Sequence, residues 1–170
     1  KTVKGKLEDT SIIKYKEGDQ EKFTLFADTT DKILFLATDG RFFTIPVDKL
    51  PKGKGFGEPL RLMIDLDEKH DIVYVGVYHP NKTLLLASKS GKGFIVESKN
   101  VFAQTRGGKQ VFTTEGDDYL TFCLDINEKY NSIAIIGDNR KLLVFKLDEI
   151  ATLHKGKGVI LQKYGQDGSI

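Results

Sequence analysis

The chain has 170 residues, of which 39% are hydrophobic and 29% charged, and its formal net charge is +2. That length suits one domain with a real core, and no apolar run approaches the roughly 18 residues of a membrane-spanning helix. A single cysteine, Cys123, excludes an intrachain disulfide and fits a reducing compartment, and no signal-peptide pattern is present.

The chain starts at Lys1 without an initiator Met and reads as a segment cut from a longer protein. From residue 4 it runs KGKLEDTSIIKYKEGDQEKFTLFADT, and then a series of short apolar runs begins: ILFLAT (33–38), RFFTIPV (41–47), DIVYVGVY (71–78), TLLLAS (83–88), GFIV (93–96), SIAIIG (132–137) and KLLVFKL (141–147). Each is rich in β-branched and aromatic residues and bounded by Gly, Asp, Asn or Lys, so each is expected to be a strand. In the run from residue 120, alternation places Leu120, Phe122, Leu124 and Ile126 on one face and Thr121, Cys123 and Asp125 on the other. TLLLAS is apolar throughout and is expected to be buried on both faces.

These runs repeat in order. Leu50, Val101 and Ile150 are equivalent, at spacings of 51 and 49 residues. About four strands per unit at a period near 50 is the pattern of propeller blades, each with an apolar face that only a neighbouring blade can bury. The expected fold is all-β: a propeller-like array of about three to four four-stranded blades, open or truncated. It forms one domain, with a partial blade at 1–31, blades at 32–81 and 82–130, and a partial blade at 131–170.

Between the second and third strands of every unit lies a Gly-rich basic loop: Lys4–Lys6, Lys52–Gly55, Arg106–Lys109 and Lys155–Gly158. The next turn is acidic each time, at 16–19, 65–71, 115–118 and 165–168. The repeat is therefore expected to sort cations to one edge and anions to another, despite the small net charge. Glycine allows close approach and exposes backbone N–H groups, while Lys and Arg neutralise phosphates without reading sequence. A curved series of such loops could follow bent duplex DNA. Arg41, Lys89, Lys92, Arg140 and Lys141, in the turns between first and second strands, would widen the patch. A propeller that docks proteins through its acidic turns and open strand edges is the alternative.

No catalytic constellation stands out. His70 lies among Asp65, Asp67 and Asp71, a solvated acidic turn rather than the recurrent His/Cys spacing of a metal site. The tyrosines sit in or beside strands as packing or rim residues. Cys123 is mid-strand, and the GKG repeats lack the spacing of a nucleotide-binding phosphate loop.

Four stretches, ATDGRFFTIPVDKLPKGKGFGEPLRLMIDL, FAQTRGGKQV, GDNRKLLVFKLDEI and KGKGVILQKY, closely resemble the C-terminal domain of the A subunit of bacterial topoisomerase IV. The corresponding domain of DNA gyrase is more distant. The resemblance runs from about Lys4 to Gly168. It implies a β-pinwheel, a disc of blades that exchange strands and whose rim binds and bends DNA. The gyrase domain carries the box Gln-Arg-Arg-Gly-Gly-Lys-Gly. Here Gln104, Arg106, Gly107, Gly108 and Lys109 match it, while Thr105 replaces an arginine and Gln110 the final glycine. These departures imply DNA capture for decatenation and relaxation rather than gyrase-like wrapping. With the repeated loops, the resemblance nominates Lys4, Lys6, Arg41, Lys52, Lys54, Gln104, Arg106, Gly107, Gly108, Lys109, Arg140, Lys155 and Lys157 as DNA-contacting residues. It further implies a non-catalytic fragment with no cofactor and no small-molecule substrate of its own. ATP and Mg would serve other parts of an A2B2 parent topoisomerase IV, in which the remainder of the A chain and the ATPase B chain are partners. The implied location is the bacterial cytoplasm, on the chromosome, with peripheral association at the inner membrane in the parent family.

Overall fold

The computed structural model describes Thr2, Gly5 and residues 13–53, 55–164 and 169–170. Lys4, Lys6, Lys54 and the acidic turn at 165–168 therefore lie outside the described residues. Regular structure among the described residues consists of strands and single 3-10 turns. β1 (Lys32–Ala37) and β2 (Arg41–Pro46) form a hairpin, followed by β3 (Ile72–Val77). β4 (Thr83–Ser88) and β5 (Lys92–Glu97) repeat the hairpin, followed by β6 (Lys109–Gln110) and β7 (Leu120–Ile126). β8 (Ser132–Ile136) and β9 (Leu142–Lys146) repeat it again, and β10 (Val159–Ile160) follows. The fold is all-β. After each hairpin comes a 3-10 turn, at Val47–Lys49, Ser98–Asn100 and Leu147–Glu149, closed by the N–H groups of Leu50, Val101 and Ile150. The three residues aligned by sequence thus do the same job in each unit.

The sheets are not the sequence units. One four-stranded sheet has the order β3-β1-β2-β6 and the next β10-β5-β4-β7, all pairs antiparallel. The edge strand of each is lent by the following unit: β6 pairs with β2 through Arg41↔Gln110 and Phe42↔Lys109, and β10 with β5 through Lys92↔Ile160 and Gly93↔Val159. β8 and β9 form a two-stranded sheet. The lent strand is fastened in the same way both times. The carbonyl of the hairpin glycine Gly40 accepts from the N–H groups of Val111 and Phe112, and that of Gly91 from Leu161 and Gln162.

In the first unit the segment expected to be a third strand forms a 3-10 turn instead, Leu60–Leu62. Pro59, at φ −59°, has no N–H to offer a ladder and directs the chain into that turn.

Three apolar layers alternate with the sheets. Leu34, Leu36, Leu84 and Leu86 meet between the first two sheets with Phe42, Phe94 and Phe112. Ile33, Phe35 and Phe43 cover the outer side of the first sheet, while Leu85 and Ala87 pack toward Ile135 and Ile150 of the third unit. TLLLAS is thus buried on both faces, as its uninterrupted apolar run requires. Phe112, just past the lent strand β6, stacks on Phe94 at 5.4 Å with 7° between ring planes. Burial of such a ring contributes about 1.5–3 kcal/mol, so the exchange carries part of the core with it.

The expected face of the run from residue 120 is corrected by a bulge. Ala87 pairs with Phe122 but Ser88 pairs with Leu120, so one residue, Thr121, is looped out of register. Beyond it the faces swap: Leu120 and Cys123 are buried, whereas Phe122 and Leu124 are exposed. The same irregularity falls between Leu36 and Ala37 in the preceding sheet.

Candidate nucleic-acid interface

The basic loops at 106–109 and 155–158 each deliver the chain to the edge of the preceding sheet. In the second unit the Gly108 N–H closes a turn on the Thr105 carbonyl at 3.1 Å, and β6 then starts at Lys109. Gly108 has φ +74°, and a β-carbon there would stand 2.7 Å from the Phe42 carbonyl oxygen. Gly158 occupies the same place before β10, at φ +78° and against the backbone of Gly93. These glycines are required by the close approach of one unit to the next. Gly107 is different: only Thr105 Oγ1, at 3.9 Å, lies near its β-position.

The nominated cations fall into distinct groups. Lys52, Lys109 and Lys155 are exposed and make no ion pair among the described residues. Arg140 is exposed in the β8–β9 turn at φ +62°, a left-handed conformation. Arg106 is half-engaged: its Nη2 donates to the Leu62 carbonyl at 2.9 Å and its Nε lies 3.6 Å from Asp65 Oδ1, with 62% of the side chain exposed. Lys157 pairs with Glu115 at 2.6 Å. Arg41 is turned inward, 23% exposed, with Nε on Asp39 at 2.6 Å and Nη1 on the carbonyls of Asp65 and Gly107, each at 3.1 Å. Its guanidinium also lies over the Phe43 ring, 5.2 Å from the centroid. Gln104 is exposed beside the loop. Gln110, where the gyrase box has glycine, spends its amide on the Asp39 and Phe112 carbonyls at 2.7 and 2.6 Å.

The expected separation of cationic and anionic edges is corrected. Strand exchange sets the basic loops of the second and third units against the acidic turn of the preceding unit. Arg106 meets Asp65, whose N–H also donates to the Arg106 carbonyl at 2.9 Å, and Lys157 meets Glu115. Lys92 joins Glu115 at 3.3 Å, and the two lysines hold that carboxyl below the usual carboxylate range, Lys157 more strongly. Lys92 is the counterpart of Arg41 in the next sheet, since both begin the strand that receives the lent one. The sequence offered a signal for this apposition. Asp65 precedes Arg106 by nearly the same distance along the chain as Glu115 precedes Lys157.

Among the described residues no cluster of three or more His, Cys, Asp or Glu could hold a metal. Tyr74 is occupied in donating to Asp125 at 2.7 Å, and burial raises its pKa far above the ordinary value, with that hydrogen bond adding to the effect. Burial also pushes the Cys123 thiol well up, which disfavours its thiolate form. No helix among the described residues is long and apolar enough to cross a membrane.

Repeated hairpins with lent edge strands and shared apolar layers define a propeller-like all-β fold. The model of the DNA gyrase C-terminal domain, beta-propeller, matches residues 31–78, 82–127 and 131–170, and the chain belongs to that family. It is 51% identical over 164 residues to the A subunit of DNA topoisomerase 4 from Rickettsia conorii, and 44% identical over 168 residues to that from Caulobacter vibrioides. Those matches cover 96% and 99% of this chain but 22% of each relative. The E. coli ParC C-terminal domain superposes with a TM-score of 0.83 at 26% identity, over 92% of this chain and 64% of that one. A DNA gyrase A C-terminal domain structure, at 16% identity and a TM-score of 0.64 over 84% of this chain and 47% of that one, shares the fold.

Proposed function

We propose that this chain binds and bends duplex DNA through its phosphates, positioning a segment for decatenation and supercoil relaxation by a parent type IIA topoisomerase. The observation that carries this reading is the recurrence of exposed lysines, Lys52, Lys109 and Lys155, on the loops that lead out of successive hairpin units. Cations that recur on the same loop of successive units suit a regularly charged polymer, whose phosphates they neutralise without reading sequence. The remainder of the parent A chain and the ATPase B chain would supply strand cleavage and ATP turnover. Gln110 favours capture over wrapping, because the end of the box is fastened to the blade beneath it.

The test is a salt titration of duplex binding by fluorescence anisotropy. Affinity should fall linearly on a log–log plot, by the same amount for unrelated sequences. Exchanging Lys52, Lys109 and Lys155 for Gln should lower the slope by about 0.9 for each phosphate that is no longer neutralised. Binding that ignores salt, or no binding at low salt, overturns the reading.

A further inference from the structure

Glu115 is gripped by two lysines that belong to different units. Lys92, at the start of β5, approaches one carboxylate oxygen at 3.3 Å, and Lys157, from the following basic loop, approaches the other at 2.6 Å. All three side chains remain accessible, at 35%, 59% and 50% for Lys92, Lys157 and Glu115. Lys92 and Glu115 border an open cleft of about 340 Å³ that Ser90, Gln162 and a further cation, Lys163, also line. The acidic neighbour Asp118 is already saturated, accepting from the hydroxyls of Ser88 and Ser90, each at 2.7 Å, and from the backbone N–H groups of Ser90 and Tyr119. The preceding junction lacks such a pair, because Arg41, the counterpart of Lys92, is committed to Asp39 and to two carbonyls.

Two ammonium groups converging on the two oxygens of one exposed carboxylate make an oxyanion site, and a phosphodiester presents two non-bridging oxygens of the same kind. We propose that Lys92 and Lys157 form a phosphate-binding pair for duplex DNA, and that Glu115 holds the place of the phosphate in the free protein. The identity of the ligand rests on the DNA-binding reading above; the anion site does not. When a phosphate arrives, Glu115 turns out into solvent and the lysines keep an oxyanion partner throughout. The carboxylate thereby lowers affinity at this junction and makes capture reversible.

The test compares the parent with Glu115→Gln, using duplex binding at low salt and, separately, inorganic phosphate titrated while the NMR signals of Lys92 and Lys157 are followed. Glu115→Gln should tighten both, by about threefold or more, as expected for removing one charge beside the bound anion. The gain should vanish when Lys92→Gln and Lys157→Gln are added, a non-additivity that a general change in surface charge would not give. Should thermal unfolding show that Glu115→Gln weakens the fold, Glu115→Asp provides a second route. Its shorter carboxylate cannot span both lysines, and an intermediate gain is expected. No gain in either assay, or a gain that survives loss of the lysines, overturns the proposal. Tighter phosphate binding with no duplex binding by any of the proteins would sustain the anion site and bring down the DNA reading instead.

Discussion

Gly108 lies so close to Phe42 that a β-carbon on it would stand 2.7 Å from the Phe42 carbonyl oxygen, and its φ of +74° is one that side chains resist. The close approach lets the strand beginning at Lys109 join the preceding sheet. Its neighbour Gly107 has room for a side chain. The two glycines of the Arg-Gly-Gly-Lys loop therefore differ in role. Gly108→Ala should destabilise the fold by about 2–4 kcal/mol, combining a strained backbone with a backbone clash. Gly107→Ala should stay within about 0.5 kcal/mol of the parent. Urea unfolding of the two variants side by side checks this, and equal effects would contradict the distinction.

The hairpins were legible in the sequence because each is local: a short β-branched run, a glycine turn at Gly40 or Gly91, and a second run. The equivalence of Leu50, Val101 and Ile150 was legible for the same reason, since each closes a turn on a residue three positions back. What a unit does with its next segment is not local. The pairing of Lys109 with Phe42 joins different units, and no periodicity within either reports it. The bulge at Thr121 hid the true inner face of β7, because simple alternation cannot register an extra residue. At the candidate interface, the series of basic loops was plain from composition, but the allocation of each cation was not. Arg41 and Lys109 look alike as surface cations in a turn-rich sequence, and only the lent strand shows that one is enclosed and the other exposed.

That contrast yields a second prediction. Arg41 ties Asp39, the Asp65 carbonyl and the Gly107 carbonyl together across the junction. A lysine there keeps the charge but cannot reproduce the planar fork. Arg41→Lys should therefore cost about 1.5–3 kcal/mol of stability, the range for lost hydrogen bonds to a charged group. It should leave duplex affinity close to that of the parent. Lys109→Gln should show the opposite pattern, with weaker duplex binding and an unchanged urea midpoint. Both quantities are measured on the same preparations, and a large affinity loss in Arg41→Lys would reassign Arg41 to the DNA surface.

Asp118 fixes the pH response of the β4–β5 turn. Burial pushes its carboxyl up, but hydrogen bonds from Ser90 and Ser88, with the N–H groups of Ser90 and Tyr119, outweigh it and hold the group below the ordinary aspartate range. A carboxyl whose folded value is depressed stabilises the fold above its unfolded value, about 3.9 for Asp, and loses that contribution as the pH falls through the lower folded value. Asp118→Asn removes the charge at every pH; its carbonyl oxygen can still accept from the N–H groups of Ser90 and Tyr119, but its NH2 group faces the Ser88 and Ser90 hydroxyls, which must then accept instead of donate. It should accordingly be less stable than the parent at pH 7, with the gap narrowing as the pH drops below about 3.9. Thermal unfolding of both proteins across that range measures the gap directly. A difference that stays constant with pH would show that the Asp118 charge contributes nothing and that shape alone matters at the turn.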